Sequence, residues 1–137
     1  RQWMLAILAG EWTSKAIKYQ HGQTGVQTPA AMALHLGGGV CQDYAHLVIG
    51  ALRHVGIPAR YVTGYLLGDD GAASFHAWAE GWDDNLGWIG FDPLLNLCPI
   101  DSHIRLASGL DATSTMPIRS APVWSAMPLE TVEIVAG

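Results

Sequence analysis

The stretch Gly37-Gly38-Gly39-Val40-Cys41-Gln42-Asp43-Tyr44-Ala45 decides how this chain is read. Three glycines lead into a cysteine. From Cys41 onward, small or apolar residues recur at Ala45, Val48, Leu52 and Val55. That spacing is one face of an α-helix. Glycines hold a helix poorly and let backbone approach backbone or ligand closely, so the run separates two elements. Cys41 then falls in the first turn of a new helix, where unpaired N–H groups and the positive end of the dipole favour an anion. A cysteine in such a place is favoured as thiolate, its nucleophilic form. The competing reading is a small buried core residue, the usual fate of a lone cysteine. The rest of the chain arbitrates between the two.

Upstream, residues 3–19 read as a helix with Leu5, Leu8, Trp12, Ala16 and Tyr19 on one side and Glu11, Lys15 and Lys18 on another. His21-Gly22-Gln23-Thr24-Gly25 is a loop. Thr28-Pro29 starts a short helix through Leu36, with Thr as cap and Pro in the first position. Downstream, Gly56-Ile57-Pro58 stops the Cys41 helix. Residues 60–67, rich in Tyr, Val and Thr, read as a strand. After a turn at residues 68–71, residues 74–82 form a second strand, with His76, Trp78, Glu80 and Trp82 on one face and Ala77 and Ala79 on the other. Another turn leads to a third strand, residues 88–91, ended by Asp92-Pro93. Beyond Leu97 the pattern weakens into loops, with a final strand expected at residues 130–135. Helices first and antiparallel strands after make an α+β fold, helices packed on a sheet. Neither a repeat nor a linker divides the chain, so residues 1–137 are expected to form a single domain.

Of the 137 residues, 50% are hydrophobic and 14% charged, with a net charge of −5. That is enough apolar material for a core and too much for a disordered chain. The acidic balance excludes a phosphate-binding stripe, so no nucleic-acid partner is expected. No apolar run approaches the ~20 residues of a membrane span, and no signal peptide is visible. The two cysteines, Cys41 and Cys98, are too few for a disulfide scaffold and suggest a reducing, cytoplasmic location. A bridge between them would consume the candidate nucleophile. The chain lacks CxxC and HExxH, and its six histidines are scattered, so neither metal nor cofactor is expected. It starts with Arg rather than Met, as expected of a piece of a longer protein.

Three residue types now align. Cys41 opens a helix, His76 lies in a strand, and Asp92 ends the next strand. Adjacent antiparallel strands can set His76 beside Asp92, and a helix packed on that sheet can bring Cys41 to the histidine. Chemistry then assigns roles: Cys41 attacks as thiolate, His76 takes and returns the proton, and Asp92 orients the imidazole and stabilises its charged form. Alone, each has a plainer explanation, such as a satisfied strand histidine or a turn-forming Asp before Pro. Together they point to nucleophilic catalysis.

The residues also carry a resemblance. Gly39-Val40-Cys41-Gln42-Asp43-Tyr44-Ala45, Leu52-Arg53 and the run from Gly56-Ile57-Pro58 to Gly64-Tyr65 resemble the nucleophile helix and following strand of the bacterial transglutaminase-like superfamily. Phe75-His76-Ala77-Trp78-Ala79-Glu80 and Gly87-Trp88-Ile89-Gly90-Phe91-Asp92-Pro93 are similar to its histidine and aspartate motifs. The resemblance implies a papain-like α+β core, a Cys41–His76–Asp92 triad, and often an upstream β-rich domain. More loosely, residues 104–117 resemble the segment after the aspartate motif in bacterial members, except that Gly109-Leu110-Asp111 stands where Gly-Arg-Asp is usual.

An oxyanion hole needs donors aimed at the developing negative oxygen. The Cys41 backbone N–H is one candidate. Tyr19, Trp12 and Gln23 are candidates for the second, Tyr19 ahead of the others, although core packing is the leading reading of Tyr19 itself. Trp78 and Trp88, with Gly39, are candidate walls of a substrate cleft, though aromatics at strand spacing read first as core. Arg60, Asp43 and Glu80 can pair to hold helix to sheet. His46 and His54 read as surface or satisfied residues, and His21, His35 and His103 show no partner pattern. The expected activity is hydrolysis of an amide in a peptide or protein substrate through a thioester. Transglutaminase-type transfer to an amine, arylamine-type acetyl transfer and a non-catalytic binding module are the alternatives.

Overall fold

A computed structural model of the protein describes residues 2–116. Its organising element is the helix α3, Cys41–His54, which lays Ala45, Val48, Ile49 and Leu52 against Ala59, Tyr61, Ala77 and Ala79 of a sheet. All four helix residues are at most 2% exposed. The sheet has four antiparallel strands in the order β5-β4-β3-β6, with β3 at Ala59–Leu67, β4 at Ala73–Asp83, β5 at Gly87–Phe91 and β6 at His103–Gly109. The α+β expectation therefore holds, and no helix among the described residues is long and apolar enough to cross a membrane.

The central pair β3–β4 sets Gly64 opposite His76 and Val62 opposite Trp78. On its other side β3 pairs with β6, with an irregularity between Thr63 and Gly64. Gly64 is obligatory there. A Cβ at that position would lie 2.1 Å from the Ile104 carbonyl oxygen and 2.9 Å from the Trp78 ring. β6 was not expected from the sequence. It is an edge strand, its Leu106 is half-exposed, and its pattern carries no clean alternation. The strand expected at residues 130–135 lies outside the described residues.

Helix α1, Gln2–Ala16, ends three residues short of the expected 3–19, leaving Tyr19 in a strand, and shows the sheet and α3 the opposite face. Its buried residues are Ala6, Gly10 and Thr13, whereas Leu5, Leu8 and Trp12 are 42%, 57% and 47% exposed. Close approach decides this. A Cβ on Gly10 would sit 1.9 Å from the Phe91 ring, so the small-residue stripe alone lets the helix reach β5. After Ile17 the chain leaves the helix as a two-residue strand β1, Lys18–Tyr19, parallel to β2, Gly38–Gly39. Between them α2, Ala30–Leu36, is capped at its end by Gly37 in the left-handed region at φ 71°, whose N–H reaches the Ala33 and Leu34 carbonyls. Thr28 closes the preceding loop, accepting the Gly25 N–H, instead of capping the helix. The glycine run is thus a helix stop followed by a strand that delivers the chain to Cys41.

Candidate active site

The start of α3 is held by its own third residue. Asp43, fully buried, accepts the Val40 N–H at 2.9 Å and the Thr24 hydroxyl at 2.6 Å. An acid in the first turn satisfies an orphan donor and suits the dipole. It also explains Gly39, where a Cβ would meet the Asp43 carboxylate at 2.5 Å. Gly39 is buried and makes room for that carboxylate, so it does not form a cleft wall as the sequence suggested. Nor does Asp43 join Arg60 and Glu80. Those two pair with each other, Arg105 adds a contact to Glu80 at 3.3 Å, and the Arg60 guanidinium lies 4.0 Å over the Trp88 ring.

Cys41 is partly buried, and both cysteines are free thiols. Cys41, at the start of α3, lies close enough to the His76 ring to help raise its pKa. The other side of that ring, Nε2, is 2.6 Å from Asp92 Oδ2. An ionised carboxylate only accepts, so Nε2 carries the proton and Nδ1 is left for the sulfur. Asp92 is fully buried at the end of β5, and its Oδ1 accepts the backbone N–H groups of Leu94 and Leu95 at 3.0 and 3.2 Å. The Asp92-Pro93 turn that ended the third strand in the sequence thus forms an Asx-type turn that also locks the carboxylate. The structure joins His76 to Asp92 by a hydrogen bond and brings Cys41 within electrostatic reach of the same ring.

The electrostatics follow from burial and charge together. Burial by itself would depress the His76 imidazole, but the hydrogen bond to Asp92 and the charges on Asp92 and Cys41 outweigh it and push the pKa up to about 9. For Asp92, burial acts to raise the pKa. The bond to His76 and its charge, with bonds from His103 and the Leu95 N–H, hold it below the ordinary carboxylate range. The ring therefore keeps its charge at neutral pH, held by the buried carboxylate beside it.

His103 is the residue the sequence did not reveal. Its Nε2 lies 2.9 Å from the same Asp92 oxygen that His76 holds, and its side chain is 1% exposed. It escaped notice because it belongs to β6, an unrecognised strand, and the pairing crosses from one edge of the sheet to the other. His76, Asp92 and His103 are also the group with metal-ligand spacing among the described residues, their ligand atoms lying within 4.8 Å of one another. Contacts of 2.6 and 2.9 Å to a single carboxylate oxygen are those of two N–H donors sharing one acceptor.

The remaining candidates scatter. Tyr19 stays beside the site, registered with Gly39, but its hydroxyl is bound to His21 Nε2 at 2.7 Å and the residue is 51% exposed. Trp12 stands half-exposed on α1. The Gln23 side-chain oxygen approaches Gly38. Trp78 is 2% exposed, with its ring edge-on to His103 at 5.3 Å and tilted to His76 at 6.2 Å. It packs behind the histidines and does not line a cleft, for which a side chain must meet solvent. Trp88 is 39% exposed but meets Trp82 edge-to-face and carries Arg60 over its ring at the sheet edge. His46 is satisfied: its Nε2 accepts the Ala112 N–H at 3.1 Å, and its ring lies 4.9 Å from that of Tyr61.

Known proteins share this arrangement of sequence and fold. The profile of the transglutaminase-like superfamily core matches residues 7–93. An uncharacterized protein of Mycobacterium leprae is 36% identical over 120 residues, 82% of this chain and 42% of its own length. A Pseudomonas aeruginosa protein named protein-glutamine gamma-glutamyltransferase is 37% identical over 82 residues, 53% of this chain and 12% of its own. Among solved structures, a Cytophaga hutchinsonii protein described as a candidate cysteine protease superposes with a TM-score of 0.68 at 35% identity, covering 79% of this chain and 36% of that one. The periplasmic domain of TgpA from P. aeruginosa superposes at 0.53 and 26% identity, over 70% of this chain and 38% of its own. The chain spans less than half the length of these relatives. On sequence and on its papain-like α+β fold alike, it belongs to the transglutaminase-like superfamily.

Proposed function

We propose that this domain is the catalytic core of a cysteine-dependent acyl-group enzyme, acting on amides of peptides or proteins. The observation that carries the reading is His76 Nε2 donating to buried Asp92 at 2.6 Å while Cys41, first residue of α3, acts on the same ring. Cys41 Sγ attacks the amide carbonyl carbon. The negative oxygen is met by the Cys41 N–H at the tip of α3, one of the four N–H groups a helix leaves unpaired. His76 gives its Nδ1 proton to the departing amine, the C–N bond breaks, and a thioester remains. Water then attacks the thioester, His76 takes its proton, and the sulfur leaves with the acid released. That is amidase or peptidase chemistry.

A second reading keeps every step except the last, with a primary amine replacing water. The 37% match to a protein named as a glutamyltransferase favours it. The same triad serves both, so the acceptor decides. Purified protein is incubated with a glutamine-containing peptide, with and without a primary amine, and the products are weighed by mass spectrometry. Free acid supports hydrolysis, and the amine adduct supports transfer. Neither product from the wild type, with Cys41→Ser as control, leaves the binding-module reading. For location, the match to a periplasmic domain favours an exported protein over the cytoplasmic one expected from the sequence. Fractionation of cells expressing the full-length protein tests this.

A further inference from the structure

We infer that His103 is a positioning residue of this site, a second histidine that keeps Asp92 ionised and aimed at His76. The inference rests on the proposed triad chemistry and adds a fourth member to it.

The tautomer of His103 follows from its contacts. Its Nδ1 lies 3.2 Å from the Ile100 backbone nitrogen, which donates, while the His103 N–H donates back to the Ile100 carbonyl at 2.8 Å. A nitrogen that accepts carries no proton, so the ring is neutral with its hydrogen on Nε2. That hydrogen points at Asp92 Oδ2, 2.9 Å away. The turn at residues 100–103 therefore fixes the ring as a donor.

Asp92 has no access to water, so its charge rests on N–H groups alone. Two backbone donors occupy Oδ1, and His76 and His103 share Oδ2. The titratable groups facing it are His76 from β4 and His103 from β6, with Cys41 of α3 beyond His76. Removing a donor from the charged form raises the pH at which the carboxylate takes up a proton. Once Asp92 is neutral, the His76 cation loses its buried counter-charge and the thiolate loses its partner. The lower edge of the pH window in which the pair is charged then moves upward.

The experiment follows the rate of iodoacetamide alkylation of Cys41 against pH, by mass spectrometry, in the wild type, His103→Leu and His103→Gln. Leucine fills the space without a donor, and glutamine returns an N–H at similar reach. The acid limb is expected to shift upward by about one pH unit in His103→Leu and to return most of the way in His103→Gln. If the leucine variant does not fold, His103→Asn, whose amide is too short to reach Asp92, takes its place in the same comparison. Nitrogen NMR of the wild type should show His103 as the neutral Nε2–H form. A limb that stays put in the donor-free variant, an equal shift in both variants, or a proton on Nδ1 overturns the inference while leaving the triad standing. A wild-type Cys41 that alkylates like an ordinary thiol removes the triad reading, and this inference with it.

Discussion

Replacing Asp92 by Asn tests the site without changing its shape. The two oxygens of Asp92 are both acceptors: Oδ1 receives the Leu94 and Leu95 N–H groups, and Oδ2 receives His76 and His103. An amide supplies one acceptor and one NH2. With its oxygen toward the backbone donors, the NH2 faces two imidazole nitrogens. His76 then relieves the clash by moving its proton to Nδ1, so that Nε2 accepts. A ring protonated at Nδ1 and neutral cannot take a proton from Cys41. The raised His76 pKa measures what is lost. From the usual 6.5 to about 9 is roughly 3 kcal/mol in favour of the charged ring. Part of that comes from Cys41, so the share of Asp92 is smaller, and burial unopposed drives the ring further toward neutrality. At pH 6 the alkylation rate of Cys41 in Asp92→Asn should fall by about 10²-fold. Turnover should fall further, on the order of 10³–10⁴-fold, because the wrong tautomer blocks proton transfer as well. Circular dichroism checks that the variant is folded. Alkylation within threefold of the wild type at pH 6 would refute the reasoning, since the carboxylate would then not be sustaining the pair.

Other outcomes rest on the same contacts. In the wild type, iodoacetamide should label Cys41 rapidly well below pH 8, and His76→Ala should reduce it to an ordinary thiol; equal rates in the two would sink the pairing. Folding raises the His76 pKa, so its contribution to stability is complete below pH 6.5 and is lost as pH climbs through about 9. Folding lowers the Asp92 pKa, so its contribution is present above the ordinary carboxylate range and lost on acidification. Denaturant midpoints should fall in both directions, with the alkaline fall smaller in His76→Gln. Gly64→Ala drives a methyl into the Ile104 carbonyl and should cost about 1–3 kcal/mol in urea unfolding. Leu8→Ser, on the exposed face of α1, should change stability by no more than about 0.5 kcal/mol, against a large loss if the apolar stripe were the core face.

Local chemistry made part of this molecule readable. Cys41 at a helix start, strands β3 to β5 and the Asp92-Pro93 stop all rest on short-range signals: glycine and proline punctuation, β-branched runs, and periods of 3.6 and 2. What could not be read depends on which surfaces meet. α1 carries two plausible faces, and hydrophobicity favours the wrong one. Gly10 against Phe91 decides the matter, a contact between residues 81 positions apart in sequence. Trp78 stays a candidate cleft wall, behind the core reading, until His103 arrives from β6 to pack on it. His103 had no local signal at all, because its partner lies across the sheet. Asp43 read as a partner for Arg60 and Glu80, and its role as cap appears only once Gly39 is seen to leave room for it.

The burial along the network says why the fold suits the chemistry. His103 is 1% exposed in its side chain, Asp92 0% and His76 5%, while Cys41 is only partly covered. In the proposed chemistry, protons and charges are fixed at the dry end and the reacting sulfur sits at the wet end. At the dry end, low dielectric strengthens each N–H···O bond and makes any vacancy costly, so the carboxylate and both rings keep one geometry. At the wet end, the proposed chemistry has a carbonyl approach the sulfur along the helix tip, where the dipole and the unpaired N–H groups of a first turn favour negative charge. Reversing the order would put an unsatisfied thiolate in the core and an unaimed carboxylate in water. The sheet prevents that reversal, because β4, β5 and β6 deliver the two histidines and the aspartate to one interior point and α3 enters from outside with the cysteine first.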